Sequence, residues 1–287
     1  MGNMKNNNVK MRHLGSGVCV FEDAISLDWD WVFNTAQRLV DEDVADMYTP
    51  IEHPETGKPA LVNKSGYIFG EDVYSSMPDR CSSAHQRTDN DVKELLNFLE
   101  QSKDAYLLQY LARFPLAYKN IWWKVKGHIV RYKARHQQYL GIHSDTSADY
   151  VYGYDQPAQQ LATRNTLSCI VYLNDDFHGG EHVFDEFEIK YSPNRGDILM
   201  FPSNFMASHK VEPVTSGERY SYLGWYSHGS PNGLYNEVVI DPIAEPELAS
   251  RATNVYIPTL RDDFRQYLEE NNIDKNSLAY SLVREGF

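Results

Sequence analysis

Long apolar segments are absent from this 287-residue chain. No run approaches the roughly 20 consecutive apolar residues that a transmembrane helix needs, so we expect no membrane span. The polar, asparagine-rich residues 1–13 lack the apolar stretch of a secretory signal peptide. These features predict a cytoplasmic protein that does not act on a membrane.

Cysteine is scarce, and basic residues are outnumbered. Cys19, Cys81 and Cys169 are far apart, and such a sparse, odd count gives no disulfide framework and suits a reducing compartment. Lys+Arg 27 against Asp+Glu 40 gives a net charge of −13. An acidic chain lacks the basic surface that general nucleic-acid binding requires, which disfavours a nucleic-acid partner.

Hydrophobic periodicity changes at Pro115. Before it, helical spacing predicts helices from Ser26 to near Pro50, from Asp89 or Asn90 onward, and over 105–114. After it, short strand-like runs of period two alternate with turns rich in glycine and proline, which is typical of a sandwich or barrel. We predict a mainly β protein with flanking helices (α+β) and a double-stranded β-helix (jelly-roll) core.

Four regions follow from these patterns within a single compact domain. They are a disordered N-terminal arm (1–13), a helical support region (14–120), the β core (121–230) and a C-terminal helical extension (231–287). Within the support region, 51–87 is predicted to be irregular, apart from a short strand near 66–69. The extension either packs on the core or mediates self-association as a homo-oligomer, and the sequence leaves both open.

Two histidines and an aspartate are candidates for a metal site. His143 and Asp145 are two positions apart, so their side chains project to the same side of a strand, and His209 is the third donor. Two histidines and one carboxylate can occupy one face of an octahedral ferrous ion and leave other positions open. Each residue alone is a weak signal, and the set of three predicts an iron site.

Arg219 follows His209 after an intervening turn, so we expect the two strands to pair as a hairpin or near-hairpin. Alternation places Arg219, Ser221, Leu223 and Trp225 on one face of the last strand. An inward-facing arginine requires a buried anion, and a guanidinium holds a carboxylate in a fixed orientation. These residues predict a carboxylate ligand beside the iron.

Six segments then identify a family. They are HIVRY (128–132), GIHSD (141–145), SCIVYLNDDFHGGEHVF (168–184), PNRGDILMFPS (193–203), HKVEPV (209–214) and GERYSYLGWY (217–226). In order and spacing, the chain from Gly127 to Gly229 resembles the iron- and 2-oxoglutarate-dependent dioxygenases, and within them the prolyl 4-hydroxylase-like branch.

The resemblance implies the chemistry of the site. His143, Asp145 and His209 would ligate Fe(II), and Arg219 would bind the distal carboxylate of the co-substrate 2-oxoglutarate. These four residues are the implied catalytic set. O2 would be the second co-substrate, and the resemblance also implies ascorbate as a reductant.

The resemblance also implies the walls of this pocket. Tyr132, Tyr172 and Ser221 would line it or hydrogen-bond the co-substrate, with an aromatic core as the alternative for the two tyrosines. Trp225 would form a wall on the substrate side. His182 follows a Gly-Gly pair where family members more often carry a small or aliphatic residue, so the shape of the pocket here departs from the family.

The connection from Ser144 to Asn165 is too long for an ordinary link between strands. It leaves directly from the candidate donors and carries Tyr150, Tyr152 and Tyr154. It is either a surface loop or a lid that binds substrate.

Three functions remain after these steps. The first is hydroxylation of a prolyl or similar residue in a peptide or protein, with release of succinate and CO2. The second is hydroxylation of a free amino acid or small metabolite, whose carboxylate Arg131, Lys133 or Arg135 would bind. The third is a catalytically inactive jelly-roll binding protein, which the intact set of donors disfavours.

Overall fold

A computed structural model describes residues 3–4, 9–63, 68–70, 77–81, 84–146, 164–228 and 254–284. In these ranges the helices are α1 (Trp29–Met47), α2 (Asn90–Arg113), α3 (Leu260–Glu270) and α4 (Leu278–Arg284). The strands are β1 (Asn3–Met4), β2 (Met11–Gly15), β3 (Val18–Phe21), β4 (Ile25–Ser26), β5 (Tyr48–Glu52), β6 (Pro59–Asn63), β7 (Ile68–Gly70), β8 (Asp79–Cys81), β9 (Trp123–Lys133), β10 (Leu140–His143), β11 (Arg164–Tyr172), β12 (His178–Gly179), β13 (His182–Phe184), β14 (Ile189–Tyr191), β15 (Ile198–Pro202), β16 (His209–Val211), β17 (Val214–Ser216), β18 (Glu218–His228) and β19 (Asn254–Tyr256).

Two antiparallel sheets face each other. The larger has the order β19-β9-β18-β11-β15-β3-β2, with β8 also paired to β9, and the smaller has the order β10-β16-β13-β14. From β9 to β18 the chain passes back and forth between the two sheets. This interleaving confirms the predicted double-stranded β-helix core with flanking helices.

Both faces of the large sheet are buried, because helices cover the outer face and the small sheet covers the inner one. On β18 the outer face carries Tyr220, Tyr222 and Tyr226, which join the core cluster formed with α1 and α2. Leu223 of the inner face packs against the clusters between the sheets. The predicted period of two therefore holds along β18, although neither face is exposed to solvent.

Helix α2 is one helix, although the sequence suggested two segments. In the polar stretch between those segments, Glu100, Ser102 and Lys103 are buried. Glu100 Oε1 accepts hydrogen bonds from Lys103 Nζ (3.0 Å), Gly127 N (3.0 Å) and Tyr222 OH (2.6 Å). Because a buried charge is tolerated only when it is paired, this network fixes α2 against β9 and β18.

The N-terminal predictions need correction at several points. Residues 11–13, assigned to a disordered arm, begin β2, which pairs with β3 at the edge of the large sheet. The segment 51–87 is not irregular, since β5, β6 and β7 form an antiparallel sheet. Pro50 lies inside β5, which is an edge strand of that sheet, where a missing backbone N–H is tolerated.

The C-terminal helices pack on the core. Phe264 and Leu268 of α3 and Leu282 of α4 are buried in the cluster that contains α2. Arg261 lies over the Trp122 ring, with its guanidinium carbon 3.9 Å from the ring centre. This arrangement favours the packing interpretation of the extension, while self-association stays a prediction. Across the described ranges, no helix has both the length and the apolar character for a membrane span.

A glycine marks the closest approach of β9 to β18. A Cβ on Gly127 would lie 2.5 Å from the Tyr222 ring and 2.7 Å from the Leu223 carbonyl oxygen. We expect Gly127→Ala to lower the free energy of unfolding by about 1–3 kcal/mol, as overpacking does. Gly141→Ala is the matched control, because its Cβ would meet no atom within 4 Å.

Urea denaturation of the wild type and both variants measures this effect. Gly141→Ala should change the free energy of unfolding by less than about 0.5 kcal/mol. Equal stability of the two variants would contradict the close packing at Gly127.

Candidate active site

The three candidate metal donors meet at one end of the small sheet. His143 is the last residue of β10 and pairs with His209, the first residue of β16. Asp145 lies in the bend that follows β10, so its proximity to His143 comes from the bend and not from strand alternation. The donor atoms of all three side chains lie within 4.8 Å of one another.

The imidazoles are oriented by their backbone. His143 Nδ1 lies 2.8 Å from the Gly141 carbonyl oxygen, and His209 Nδ1 lies 3.0 Å from the Ala207 carbonyl oxygen. When Nδ1–H donates to a carbonyl, the lone pair remains on Nε2. The Nε2 atoms of His143 and His209 are 3.4 and 3.9 Å from Asp145 Oδ1, so three donor atoms face one point.

Asp145 is held by its own set of contacts. Its Oδ2 accepts a hydrogen bond from Ser168 Oγ (2.6 Å), and its backbone carbonyl accepts one from Asn165 Nδ2 (3.0 Å). Burial alone would raise the pKa of Asp145, but His143, His209 and Ser168 stabilise the carboxylate and lower the pKa to about 2. Asp145 is therefore ionised at neutral pH, with Oδ1 directed towards the histidines.

The pKa values of the two histidines move in opposite directions. Burial opposes a proton on His143, but the Asp145 carboxylate and the Gly141 carbonyl outweigh it and raise the pKa. Burial lowers the pKa of His209. The Asp145 carboxylate favours a proton on His143, and a bound metal cation would replace that proton. Both rings can then bind the metal through a neutral Nε2.

Arg219 is a buried cation without an acidic partner among the described residues. It is 1% exposed, and its Nε and Nη1 atoms have no hydrogen-bond partner. Its guanidinium carbon lies 4.9 Å from the centre of the Tyr132 ring and 5.2 Å from that of Tyr172. Because an unpaired buried charge costs several kcal/mol, this site is built for an anion.

The predicted hairpin between His209 and Arg219 is wrong. His209 lies on β16 in the small sheet, whereas Arg219 lies on β18 in the large sheet between β9 and β11. Pro213 lacks the N–H of a ladder hydrogen bond, and the intervening β17 pairs with β12 instead. The two residues therefore lie on opposite sheets of the interior.

The other candidate pocket residues are divided between two parts of the interior. Tyr132 pairs with Arg219 across β9 and β18, and Tyr172 pairs with Ser221 across β11 and β18. Both tyrosines and Ser221 are at most 3% exposed. Trp225 lies further along β18, opposite Ser168. Its indole N–H has no well-aligned acceptor but is close enough to favour the ionised form of Asp145.

Two histidines in this interior received no role from sequence. His128 faces inward opposite Leu223, its ring centre is 5.6 Å from that of Trp225, and burial lowers its pKa to about 3. His128 is four positions before Tyr132 on β9, so strand alternation predicts that the two side chains lie on the same face. His182 is 1% exposed and stacks on His209 at 4.7 Å. Burial lowers its pKa well below the usual value, so it is neutral.

An exposed arginine, Arg80, lies on the inner face of the sheet near these residues. Arg80 on β8 pairs with Val130 of β9, so its side chain shares the inner face of the sheet. Its charge acts on His128, Tyr132 and His143, and no ion pair of Arg80 is found among the described residues. This face of the sheet therefore carries an available positive charge.

The basic residues proposed for a substrate carboxylate do not face this interior. Arg131 forms ion pairs with Asp79 (2.7 Å) and Asp41 (2.5 Å) on the helical side of the sheet, and Lys133 pairs with Asp79 (2.8 Å). The two positions are therefore occupied by internal salt bridges, and Arg135 is exposed. The tyrosines of the predicted lid, Tyr150, Tyr152 and Tyr154, lie outside the described residues.

The arrangement fits a ferrous ion with an oxo acid. Two imidazole nitrogens and one carboxylate oxygen form the donor set of non-haem iron sites with open positions. Arg219, whose Nε and Nη1 atoms lack partners among the described residues, lies in the same interior and matches a carboxylate. The geometry thus fits a double-stranded β-helix in which three candidate metal donors lie beside a candidate anion site.

Comparison with known proteins places this core in a family. Residues 127–227 match the 2OG-Fe(II) oxygenase superfamily. A PKHD-type hydroxylase from Idiomarina loihiensis is 33% identical over 113 residues, which cover 37% of this chain and 46% of the relative. Human prolyl 3-hydroxylase 2 is 35% identical over 70 residues, covering 23% of this chain and 10% of that protein.

Among solved structures, a prolyl-4-hydroxylase from Pseudomonas putida aligns with a TM-score of 0.43 and 18% identity, over 75% of this chain and 94% of that one. The chain spans less than half the length of the curated relatives described above. The predicted resemblance of residues 127–227 to the 2OG-Fe(II) oxygenase superfamily and to its prolyl-hydroxylase-like branch is confirmed. The family's Fe(II) and 2-oxoglutarate agree with the predicted cofactors, whereas ascorbate and a cytoplasmic location stay predictions.

Proposed function

We propose that this protein is an Fe(II)- and 2-oxoglutarate-dependent dioxygenase that hydroxylates a C–H bond of a prolyl or similar residue in a polypeptide. One oxygen atom of O2 enters the product hydroxyl group and the other enters succinate, while the C1 carboxylate of 2-oxoglutarate leaves as CO2. A bound ferrous ion with 2-oxoglutarate supplies this oxidising chemistry, and the protein positions the reactants and excludes water.

One observation carries this proposal: three candidate metal donors and a buried guanidinium without an ion pair among the described residues share one interior. His143, Asp145 and His209 would hold the ion through Nε2, Oδ1 and Nε2. Arg219 would hold the far carboxylate of the oxo acid, and Tyr132 and Tyr172 would flank it. A catalytically inactive binding protein would not need both an intact donor set and a cation without a partner.

The surface beside the metal donors supports a polypeptide substrate. Four of the eight large apolar side chains exposed by the described residues lie within four positions of His143 or His209. They are Tyr139 (46% exposed), Ile142 (62%), Phe205 (75%) and Met206 (55%). Exposed apolar side chains concentrated beside a site are typical of a surface that binds a polypeptide. Named relatives include prolyl hydroxylases, which agrees with this substrate class.

A smaller carboxylate-bearing substrate is the second candidate, and Arg80 favours it. Its guanidinium, which has no ion pair among the described residues, lies on the inner face of the sheet, where a free amino acid or metabolite would present its carboxylate. An arginine in such a place binds a carboxylate in one orientation. An acidic residue in a peptide would use the same contact.

The test is turnover of 2-oxoglutarate by the purified protein. We expect succinate release only with Fe(II), and the true substrate should accelerate it. A mass-spectrometric search of peptides and amino acids should find that this substrate gains about 16 Da, the mass of one oxygen atom. Each amino acid is also supplied with its carboxyl group amidated, because loss of turnover in the amide would identify the second candidate. Absence of any metal-dependent decarboxylation, with every candidate substrate, would argue against the dioxygenase.

A further inference from the structure

His182 is a buried histidine whose two ring nitrogens are both unsatisfied. It is 1% exposed, and neither Nδ1 nor Nε2 has a hydrogen-bond partner among the described residues. A buried polar group without a partner is rare in native proteins and destabilises the fold. A ligand that completes its hydrogen bonds would explain why a histidine is found there.

The position of His182 shows which ligand can reach it. Its ring stacks on the His209 ring at 4.7 Å with an angle of 22° between the planes. Two residues earlier, Gly180 packs on the stem of Arg219, since a Cβ there would lie 3.0 Å from Arg219 Cδ. His182 therefore lines the space between the metal donors and Arg219, which the oxo acid occupies under the proposed function.

His182 is not a fourth metal donor. The His182 and His209 rings are stacked, so the nitrogens of His182 lie in a plane beside the His209 ring. They do not face the point towards which His209 Nε2 is directed. The cluster of donor atoms within 4.8 Å of one another contains His143, Asp145 and His209 and does not include it.

We propose that His182 donates a hydrogen bond to an oxygen of the bound 2-oxo acid between the metal donors and Arg219, and so helps to position it. This inference rests on the proposed function. A neutral imidazole provides one N–H donor, and a carboxylate or keto oxygen is an acceptor. Phe184 and Phe201, whose rings lie 5.0 and 5.3 Å from that of His182, offer no alternative acceptor.

The experiment compares variants that differ in hydrogen bonding. His182→Leu removes the donor, whereas His182→Asn and His182→Gln place an amide where Nδ1 and Nε2 stand. Leucine and asparagine have almost the same shape, so that pair separates hydrogen bonding from packing. Phe184→Leu is the matched control, because it alters the same wall beside His209 without removing a donor.

Calorimetry measures the dissociation constant of 2-oxoglutarate on protein loaded with Mn(II), which replaces Fe(II) without being oxidised. The affinity of the protein for Mn(II) is measured separately. We expect His182→Leu to weaken 2-oxoglutarate binding by about 10- to 100-fold, the effect of one hydrogen bond to a charged group. Its affinity for Mn(II) should be unchanged, and at least one amide variant should recover most of the binding.

Each other outcome overturns the proposal. Wild-type affinity in His182→Leu excludes a hydrogen bond to the oxo acid. Equal weakening in the leucine and both amide variants, or in Phe184→Leu, assigns the effect to packing. A parallel loss of Mn(II) affinity assigns it to the metal site. If the wild type loaded with Mn(II) does not bind 2-oxoglutarate at all, the proposed function fails with it, which distinguishes the two failures.

Discussion

Replacement of His143 by alanine is expected to abolish iron retention while the fold stays intact. His143 provides one of the three donor atoms that face a common point. Removal of a group that only orients a metal ligand typically costs about 10- to 100-fold in metal affinity, so removal of a ligand itself should cost more. The side chain is 31% exposed, so its loss leaves little unfilled core.

The measurement is iron content after reconstitution with Fe(II) under anaerobic conditions and desalting. The wild type should retain one equivalent, and His143→Ala should retain almost none at an unchanged melting temperature. His178→Ala is the control, since His178 is exposed on β12. Equal iron content in wild type and His143→Ala would refute the assignment of the donor.

Arg219→Leu is expected to have the second large effect, on the requirement for 2-oxoglutarate. Breaking a buried charge pair costs about 3–5 kcal/mol, which corresponds to at least about a 100-fold weaker interaction. Arg219→Lys should be intermediate, because it keeps the charge and loses the planar fork that binds a carboxylate through two hydrogen bonds.

The ligand-free stability of Arg219→Leu provides a second and opposite readout. Arg219 has no ion pair among the described residues, so replacing it by an apolar side chain relieves the cost of burying an unpaired charge. The variant should unfold at the same or a higher temperature than the wild type, and 2-oxoglutarate should no longer raise that temperature in the presence of Mn(II).

Arg131 offers a contrast on the neighbouring strand, since it is buried and paired with Asp79. Its replacement by leucine should destabilise the protein in the absence of any ligand. If Arg219→Leu were destabilised in the same way, or if its 2-oxoglutarate requirement were unaltered, the anion site would lie elsewhere.

The sequence predicted the β core, and it singled out the three residues whose donor atoms the structure brings within 4.8 Å of one another. Spacing identified His143 and Asp145, and alternation along β18 placed Arg219 and Ser221 on one face. Alternation fails where a strand ends. Asp145 lies beyond the end of β10, and its direction is set by Ser168 and Asn165, which are distant in sequence.

The errors come from tertiary contacts that no local pattern shows. The chain crosses between the sheets after His209, so two segments that look like a hairpin face each other across the interior. The break predicted within α2 was wrong because Glu100 and Lys103 are buried and paired with each other. The unsatisfied nitrogens of His182 were equally invisible, since hydrogen-bond satisfaction depends on the whole interior.

The most direct test of the account is X-ray diffraction from crystals grown with Mn(II) and 2-oxoglutarate, with data collected at the manganese absorption edge. We predict one anomalous peak within bonding distance of His143 Nε2, Asp145 Oδ1 and His209 Nε2, and density for a carboxylate against the guanidinium of Arg219. A manganese peak away from these three atoms, or an Arg219 that contacts no oxo acid, would contradict it.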